Sequence, residues 1–275
     1  MSHKISCVIP AYNEEKNISR VLDAVQQFPL FNEIIVIDDG SLDHTKKIVK
    51  EFKNIKLIEN KTNLGKSGAI IKGINKSQGD IIVMNDADLI NLTHKNLNSL
   101  ITPLLKKEYA LTILDRAGDR SPIWGWTDCA RLFGGERAFW KKDFLELPLK
   151  KDSGYLLETV MNKYYIRKKA KIKTIYCPNL YTVHQFNKVR KKEGIINYFK
   201  MARDILSETR IKGIMEMTTG IEEDRISLIY KFKNKFDLGI LVNFIIFLFG
   251  ISLGIVTFLW QNIKLHILMK NPLKY

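Results

Sequence analysis

Residues 80–89 read DIIVMNDADL, an apolar run from Ile81 to Met84 closed by two carboxylates, Asp86 and Asp88. Four consecutive apolar residues rich in Ile and Val fit a strand buried on both faces of a parallel sheet. Asp86 and Asp88 then fall at or just past the carboxyl end of that strand, where open α/β sheets place their ligands. Two hard oxygen donors at i and i+2 can share one divalent cation, and a Mg²⁺ or Mn²⁺ held by one or two carboxylates keeps positions for substrate phosphates. An acidic turn after a strand would look the same in isolation, so the reading depends on what surrounds it.

Upstream, the chain alternates. Ile5 to Ile9 reads as a first strand, followed by PAYNEEKNI, in which Asn13 looks like the start of a helix carrying Ile18, Val21, Leu22 and Val25 at helical spacing. Glu33 to Ile37 is a second strand ending in Asp38-Asp39-Gly40-Ser41, and Asp43 and Thr45 open a second helix. Lys56 to Glu59 is a third strand; NKTNLGKSGAI then turns into a helix from about Ser67 to Ser77. Strands alternating with helices predict a doubly wound, mostly parallel sheet.

In such a fold Asp38, Asp39, Asp86 and Asp88 converge in one crevice. Carboxylates there can accept hydrogen bonds from a nucleotide base or ribose, and Lys66, between Gly65 and Ser67 at a helix start, suits a diphosphate. The spacing is not that of a Walker A loop, and no GxGxxG follows the first strand.

PAYNEEKNI, VIDDGSLDHT, NLGKSGAI and DIIVMNDADL, in this order, resemble the amino-terminal half of family 2 glycosyltransferases with the GT-A fold. The resemblance implies an α/β, Rossmann-like sheet with helices on both faces. It implies a nucleotide-diphospho-sugar bound by Pro10, Ala11, Tyr12 and Glu14, by Asp38 or Asp39 near the base, by Gly65 and Lys66, and by Asp86, Ala87 and Asp88 with Mg²⁺ or Mn²⁺.

The second half is expected to face the acceptor. Leu111 to Leu114 reads as a strand and Asp115 to Thr127 as a long loop holding Arg116, Arg120, Trp124 and Trp126. LFGGERAFWKKDF is similar to the family's glycine-and-arginine segment, which implies that Gly135 lets backbone approach the sugar and that Arg137 points toward an acceptor or donor phosphate. SGYLLETVMNKYY, from Ser153 to Tyr165, reads as a helix, with Glu158 where the family places an acidic residue near the acceptor. A base is needed only for a hydroxyl acceptor of high pKa; a phosphate acceptor leaves Glu158 an orienting role. Asp88, Glu158 and Arg137 are thus the catalytic candidates, with Arg116, Arg120, Gly135, Arg137 and Arg190 for the acceptor. Lys171 to Tyr176 is a further strand, and His184 sits where several relatives supply a third, imidazole metal ligand.

The formal charge of +15 over 275 residues favours anionic partners. No RRM, KH, zinc-finger or basic-zipper pattern accompanies it, which argues against nucleic acid. Cys7, Cys129 and Cys177 form no CxxC pair, and no signal peptide is read at the amino terminus. Residues 238–260, LGILVNFIIFLFGISLGIVTFLW, are uncharged and long enough to span or re-enter a membrane, with Lys231, Lys233 and Lys235 before them and Lys264, Lys270 and Lys274 after. Gly250 and Gly254 make a GxxxG spacing compatible with a homo-oligomer. The expected layout is a catalytic domain over 1–215 (donor half 1–90, acceptor half 91–192, amphipathic helix 193–215), a basic linker over 216–237, the hydrophobic segment 238–260 and a basic tail over 261–275. The resemblance is to polyprenyl-phosphate (dolichyl-phosphate) sugar synthases acting at a membrane from the cytoplasmic side. Glucosyl-3-phosphoglycerate synthases, glycolipid glycosyltransferases and a catalytically inert membrane scaffold are the alternatives.

Overall fold

The computed structural model describes residues 3–116, 134–149, 157–183 and 221–223. All of them belong to one of the two units into which the chain divides. Its first half alternates as the sequence predicts: β1 (Ile5–Ala11), α1 (Ile18–Gln26), β2 (Glu33–Asp38), α2 (Thr45–Glu51), β3 (Ile55–Glu59), α3 (Gly65–Lys76) and β4 (Ile81–Met84). Then follow β5 (Leu89–Ile90), α4 (His94–Leu105), β6 (Leu111–Arg116), β7 (Arg137–Trp140), α5 (Lys141–Leu145), α6 (Leu157–Arg167), β8 (Ile172–Cys177), β9 (Tyr181–Thr182) and β10 (Ile221–Glu223). The main sheet runs β10-β8-β6-β7-β4-β1-β2-β3, and β5 and β9 form a separate antiparallel pair. Every main-sheet pairing is parallel except those of β7, which lies antiparallel between β4 and β6.

Helices cover both faces. Cys7 and Ile9 of β1 pack with α1 and α4 on one side, while Val8 packs with α3 and α6 on the other. That two-sided burial is why Ile81, Ile82, Val83 and Met84 are all at most 1 % exposed, each contributing roughly 1.5–3 kcal/mol. Helix α3 lies close on the sheet at Gly73, where a Cβ would collide with Ile37 and Val8.

Several expectations are corrected. Helix α1 begins at Ile18, not Asn13, because Asn13 takes a left-handed φ of 55° and ties two loops together: its N–H donates to Ser41 Oγ at 3.0 Å, and its Oδ1 accepts from Leu42 N at 2.8 Å. The φ of 77° at Gly65 starts α3 two residues earlier than expected. Strand β6 runs on to Arg116, so Asp115 and Arg116 lie on the sheet and not in a loop. Elements not expected from the sequence include α4, capped by a reciprocal Thr93–Asn96 box, and β7, together with the short β5, α5, β9 and β10. Residues 117–133, the start of the Ser153–Tyr165 helix, the amphipathic stretch 193–215 and the hydrophobic segment 238–260 lie outside the described residues. Among the described residues, no helix is long and apolar enough to cross a membrane.

Candidate active site

The loops after β1, β2 and β3 are stitched into one rim. Asp39 N donates to Ala11 O at 2.8 Å, and Glu14 N to Thr45 Oγ1 at 2.8 Å. The Asp39 carboxylate is buried: its Oδ1 accepts from Asn60 Nδ2 at 2.7 Å and from Leu64 N at 2.9 Å, which fixes the loop that leads into α3. Asp38 is fully buried, with Oδ2 accepting from Ser41 N at 3.2 Å and Oδ1 left without a hydrogen-bond partner. Glu14 is buried too; its carbonyl receives Asn17 N and Ile18 N, and its Oε2 accepts from Asn17 Nδ2 at 2.8 Å. Of the first segment, Tyr12 is exposed, Pro10 partly buried and Ala11 in the core.

Beyond the end of β4 the charged groups gather. Lys66, on the first turn of α3, places Nζ 2.7 Å from Asp86 Oδ1 and 3.5 Å from Glu158 Oε1, so one ammonium spans the sheet end and the first turn of α6. Arg116, last in β6, stands 3.6 Å from Asp86 Oδ2 and donates to Glu136 Oε1 at 3.1 Å. Gly135 packs against this cluster: a Cβ there would sit 2.6 Å from Asp86 Oδ2 and 2.8 Å from Lys66 Nζ. Desolvation pulls the Lys66 ammonium down, but Asp86 and Glu158 more than offset it, and its pKa lies above the ordinary lysine value. The resulting site holds a permanently charged lysine and arginine on one carboxylate.

The sequence-predicted residues Lys66, Asp86, Arg116, Gly135 and Glu158 therefore meet in one place. Asp88, 9 % exposed, and Ala87 follow in the same turn, and Asp88 O accepts from Val183 N. Arg137 is held inside the fold. Its guanidinium is fully buried, donating from Nε to Gly134 O at 2.7 Å and from Nη1 to Asn162 Oδ1 at 2.8 Å and Glu158 O at 3.5 Å. Burial brings its pKa down to about 10 against the opposing pull of Glu158, so it stays charged and links β7 to α6. Arg120, Arg190 and His184 lie outside the described residues. Glu136 was not singled out from the sequence. It is fully buried beside Arg116, and desolvation pushes its carboxyl up to about 7 although Arg116 pulls it down. Only its place between two glycines and an arginine could have marked it.

Among the described residues no three His, Cys, Asp or Glu side chains form a cluster able to hold a metal by themselves. The donor set nevertheless fits a Mg²⁺ or Mn²⁺ that arrives with a diphosphate, since such ions need only one or two carboxylates and take phosphate oxygens for the rest. Asp86 and Asp88 would be those carboxylates, and Gly135 leaves the flank of Asp86 clear of a side chain.

Residues 6–199 match the family described as glycosyl transferase family 2. The chain belongs to that family. It is 37% identical over 99 residues to an undecaprenyl-phosphate 4-deoxy-4-formamido-L-arabinose transferase of Proteus mirabilis, covering 32% of this chain and 30% of the relative. To a human dolichyl-phosphate beta-glucosyltransferase it is 37% identical over 100 residues, covering 31% of each. The alignments thus span about a third of these curated relatives. Among solved structures this family 2 chain is similar to glucosyl-3-phosphoglycerate synthase of Mycobacterium tuberculosis in complex with Mn²⁺, UDP-glucose and phosphoglyceric acid. The TM-score is 0.63 at 22% identity, over 83% of this chain and 85% of that one, a likeness of fold.

Proposed function

We propose that this family 2 chain is a glycosyltransferase that moves a hexose from a UDP- or GDP-sugar to a polyprenyl phosphate at a membrane. The observation that carries the reading is Lys66, held at the start of α3 between Asp86 and Glu158 with Arg116 on the far side of Asp86. A helix start with a fixed ammonium receives a diphosphate through both its free N–H groups and its charge. Arg116 adds a planar donor fork suited to phosphate oxygens. The relatives that share sequence with the chain carry names of polyprenyl-phosphate sugar transferases, which supports the acceptor class.

In this reading Asp86 and Asp88 hold the divalent ion, which supplies neutralisation of the charge that develops on the leaving nucleoside diphosphate. Lys66 keeps its proton throughout, because two carboxylates face it, and stabilises the same charge from the other side. A phosphate acceptor is already ionised near neutral pH and needs no base. Glu158 then orients Lys66 and the acceptor and does not take a proton. Asp39, pinned by Asn60 and Leu64, presents a fixed carboxylate edge for the base and ribose. Residues 238–260 are proposed to anchor the chain with its catalytic unit on the cytoplasmic side. Lys188, Arg190, Lys191 and Lys192 would add roughly 1 kcal/mol per charge at an anionic surface.

The test is a radiolabel transfer assay on the full chain in membranes with Mn²⁺, a panel of UDP- and GDP-sugars, and either polyprenyl phosphate or 3-phosphoglycerate. Label entering an organic-extractable, mild-acid-labile product is the expected outcome. Label remaining in water on phosphoglycerate would replace the acceptor, and no transfer from any donor would remove the enzyme assignment.

A further inference from the structure

A buried carboxylate with no evident duty stands behind the site. Glu136 is fully buried, one oxygen receives Arg116 at 3.1 Å, and the other has no hydrogen-bond partner. Stability alone does not account for it, since a buried ion pair seldom stabilises a fold more than apolar side chains of the same volume. Its position does account for it. The neighbouring Gly135 packs on Asp86 and Lys66, and Arg116 stands between Glu136 and Asp86. We propose that Glu136 is a positioning residue, whose carboxylate holds the Arg116 guanidinium at the donor-diphosphate site independently of Asp86. This rests on the nucleotide-sugar reading of the site.

Asp86 and Glu136 both face Arg116, and of the two Asp86 is the one that also meets Lys66. Were a diphosphate and its cation to engage Asp86, the 3.6 Å contact from Arg116 would weaken. The 3.1 Å bond to Glu136 lies on the buried side and survives that exchange. Arg116 thus meets the diphosphate already oriented, and its ordering entropy does not have to be supplied at the moment of binding.

The test uses Glu136→Gln, which keeps the shape and an accepting oxygen but removes the charge, with Arg116→Lys and the double variant. The readouts are donor kcat and KM, UDP affinity with Mn²⁺ by calorimetry, and thermal midpoint. The expected result is a loss in kcat/KM on the order of 10- to 100-fold in Glu136→Gln with the midpoint near wild type. Glu136→Asp should recover part of the loss, and Glu136→Gln should do little further harm once Arg116 is lysine. Wild-type kcat/KM and UDP affinity in a folded Glu136→Gln protein would overturn the proposal while leaving the enzyme assignment standing. A loss that is fully additive with Arg116→Lys would overturn it too. A wild-type protein that neither binds UDP nor turns over any donor would overturn the nucleotide-sugar reading and this proposal together. If Glu136→Gln fails to fold, the comparison passes to Glu136→Asp, where unchanged kinetics count against the role.

Discussion

Gly135→Ala separates site geometry from stability. The added methyl would lie 2.6 and 2.8 Å from the two Asp86 oxygens and 2.8 Å from Lys66 Nζ, roughly half an ångström or more inside comfortable contact. All three atoms are tips of side chains, so they can retreat, and the fold is expected to lose less than about 1 kcal/mol. The retreat, however, parts the 2.7 Å Lys66–Asp86 pair and displaces both charges that meet the diphosphate. A shift on the order of 1 Å costs about 100-fold in rate, equivalent to ~2.7 kcal/mol of barrier. Gly134→Ala is the control, because its methyl would meet the Leu114 carbonyl at 2.6 Å and backbone cannot step aside. That variant should lose about 1–3 kcal/mol of stability by overpacking. Chemical denaturation and steady-state kinetics with a nucleotide sugar, run on both variants, decide the matter. Wild-type kcat/KM in Gly135→Ala, or a stability loss equal to that of Gly134→Ala, would refute the reasoning.

Other consequences can be measured in the same assays. Lys66→Met should weaken UDP binding by about 10-fold or more through loss of a charge-assisted contact, and unchanged affinity by calorimetry would remove Lys66 from the diphosphate site. Asp88→Ala should abolish metal-dependent transfer with little change in thermal midpoint; full activity in that variant, together with indifference to chelator, would sink the metal assignment. Arg137→Ala should destabilise the fold by roughly 3 kcal/mol, because Asn162 and the Gly134 carbonyl lose a buried charged donor; an unchanged denaturation midpoint would contradict its role as a strut. The Glu136 carboxyl, raised from an ordinary 4.5 to about 7 by burial, makes the folded state hold a proton that the unfolded state has lost between those values. Its contribution to stability is therefore fully present below about pH 4.5 and falls as pH rises through 7, by at most ~1.4 kcal/mol per pH unit. Glu136→Gln should flatten that part of the stability profile, and an identical profile would show that Glu136 is ionised across the range.

What could be read in advance follows from where the information resides. The strands β1, β2 and β4 are built on apolar runs, broken in β1 only by Ser6, because helices cover both faces of the sheet, so composition reveals them. Strand β7 hides because it carries Arg137, and that arginine is met inside by Asn162, the Gly134 carbonyl and the Glu158 carbonyl, two of them more than twenty residues away. Helix α4 is legible in the Thr93–Asn96 cap and in Leu97, Leu100, Ile101 and Leu104 at helical spacing, a pattern that no chemical motif accompanies. At the site, the sequence marks Lys66 and Asp86 for the donor and Glu158 for the acceptor, and the structure brings the three together because Lys66 and Glu158 lie in the first turns of their helices and Asp86 follows β4. Glu136 and the inward turn of Arg137 depend on which side of a short antiparallel strand a residue falls, and no local signal in GGERAF carries that.

The antiparallel insertion of β7 has a mechanical consequence. Met84 of β4 faces Arg137, and Arg137 faces Ile113 of β6, so hydrogen bonds run without a break from the strand that precedes Asp86 to the strand that ends in Arg116. Asp86 on one flank and Arg116 on the other are therefore mounted on a single plate, with Lys66 reaching Asp86 from helix α3. Among the described residues, the strands that carry the two flanks leave no break between them. Over that continuous backbone the charged tips can exchange partners within a few ångströms.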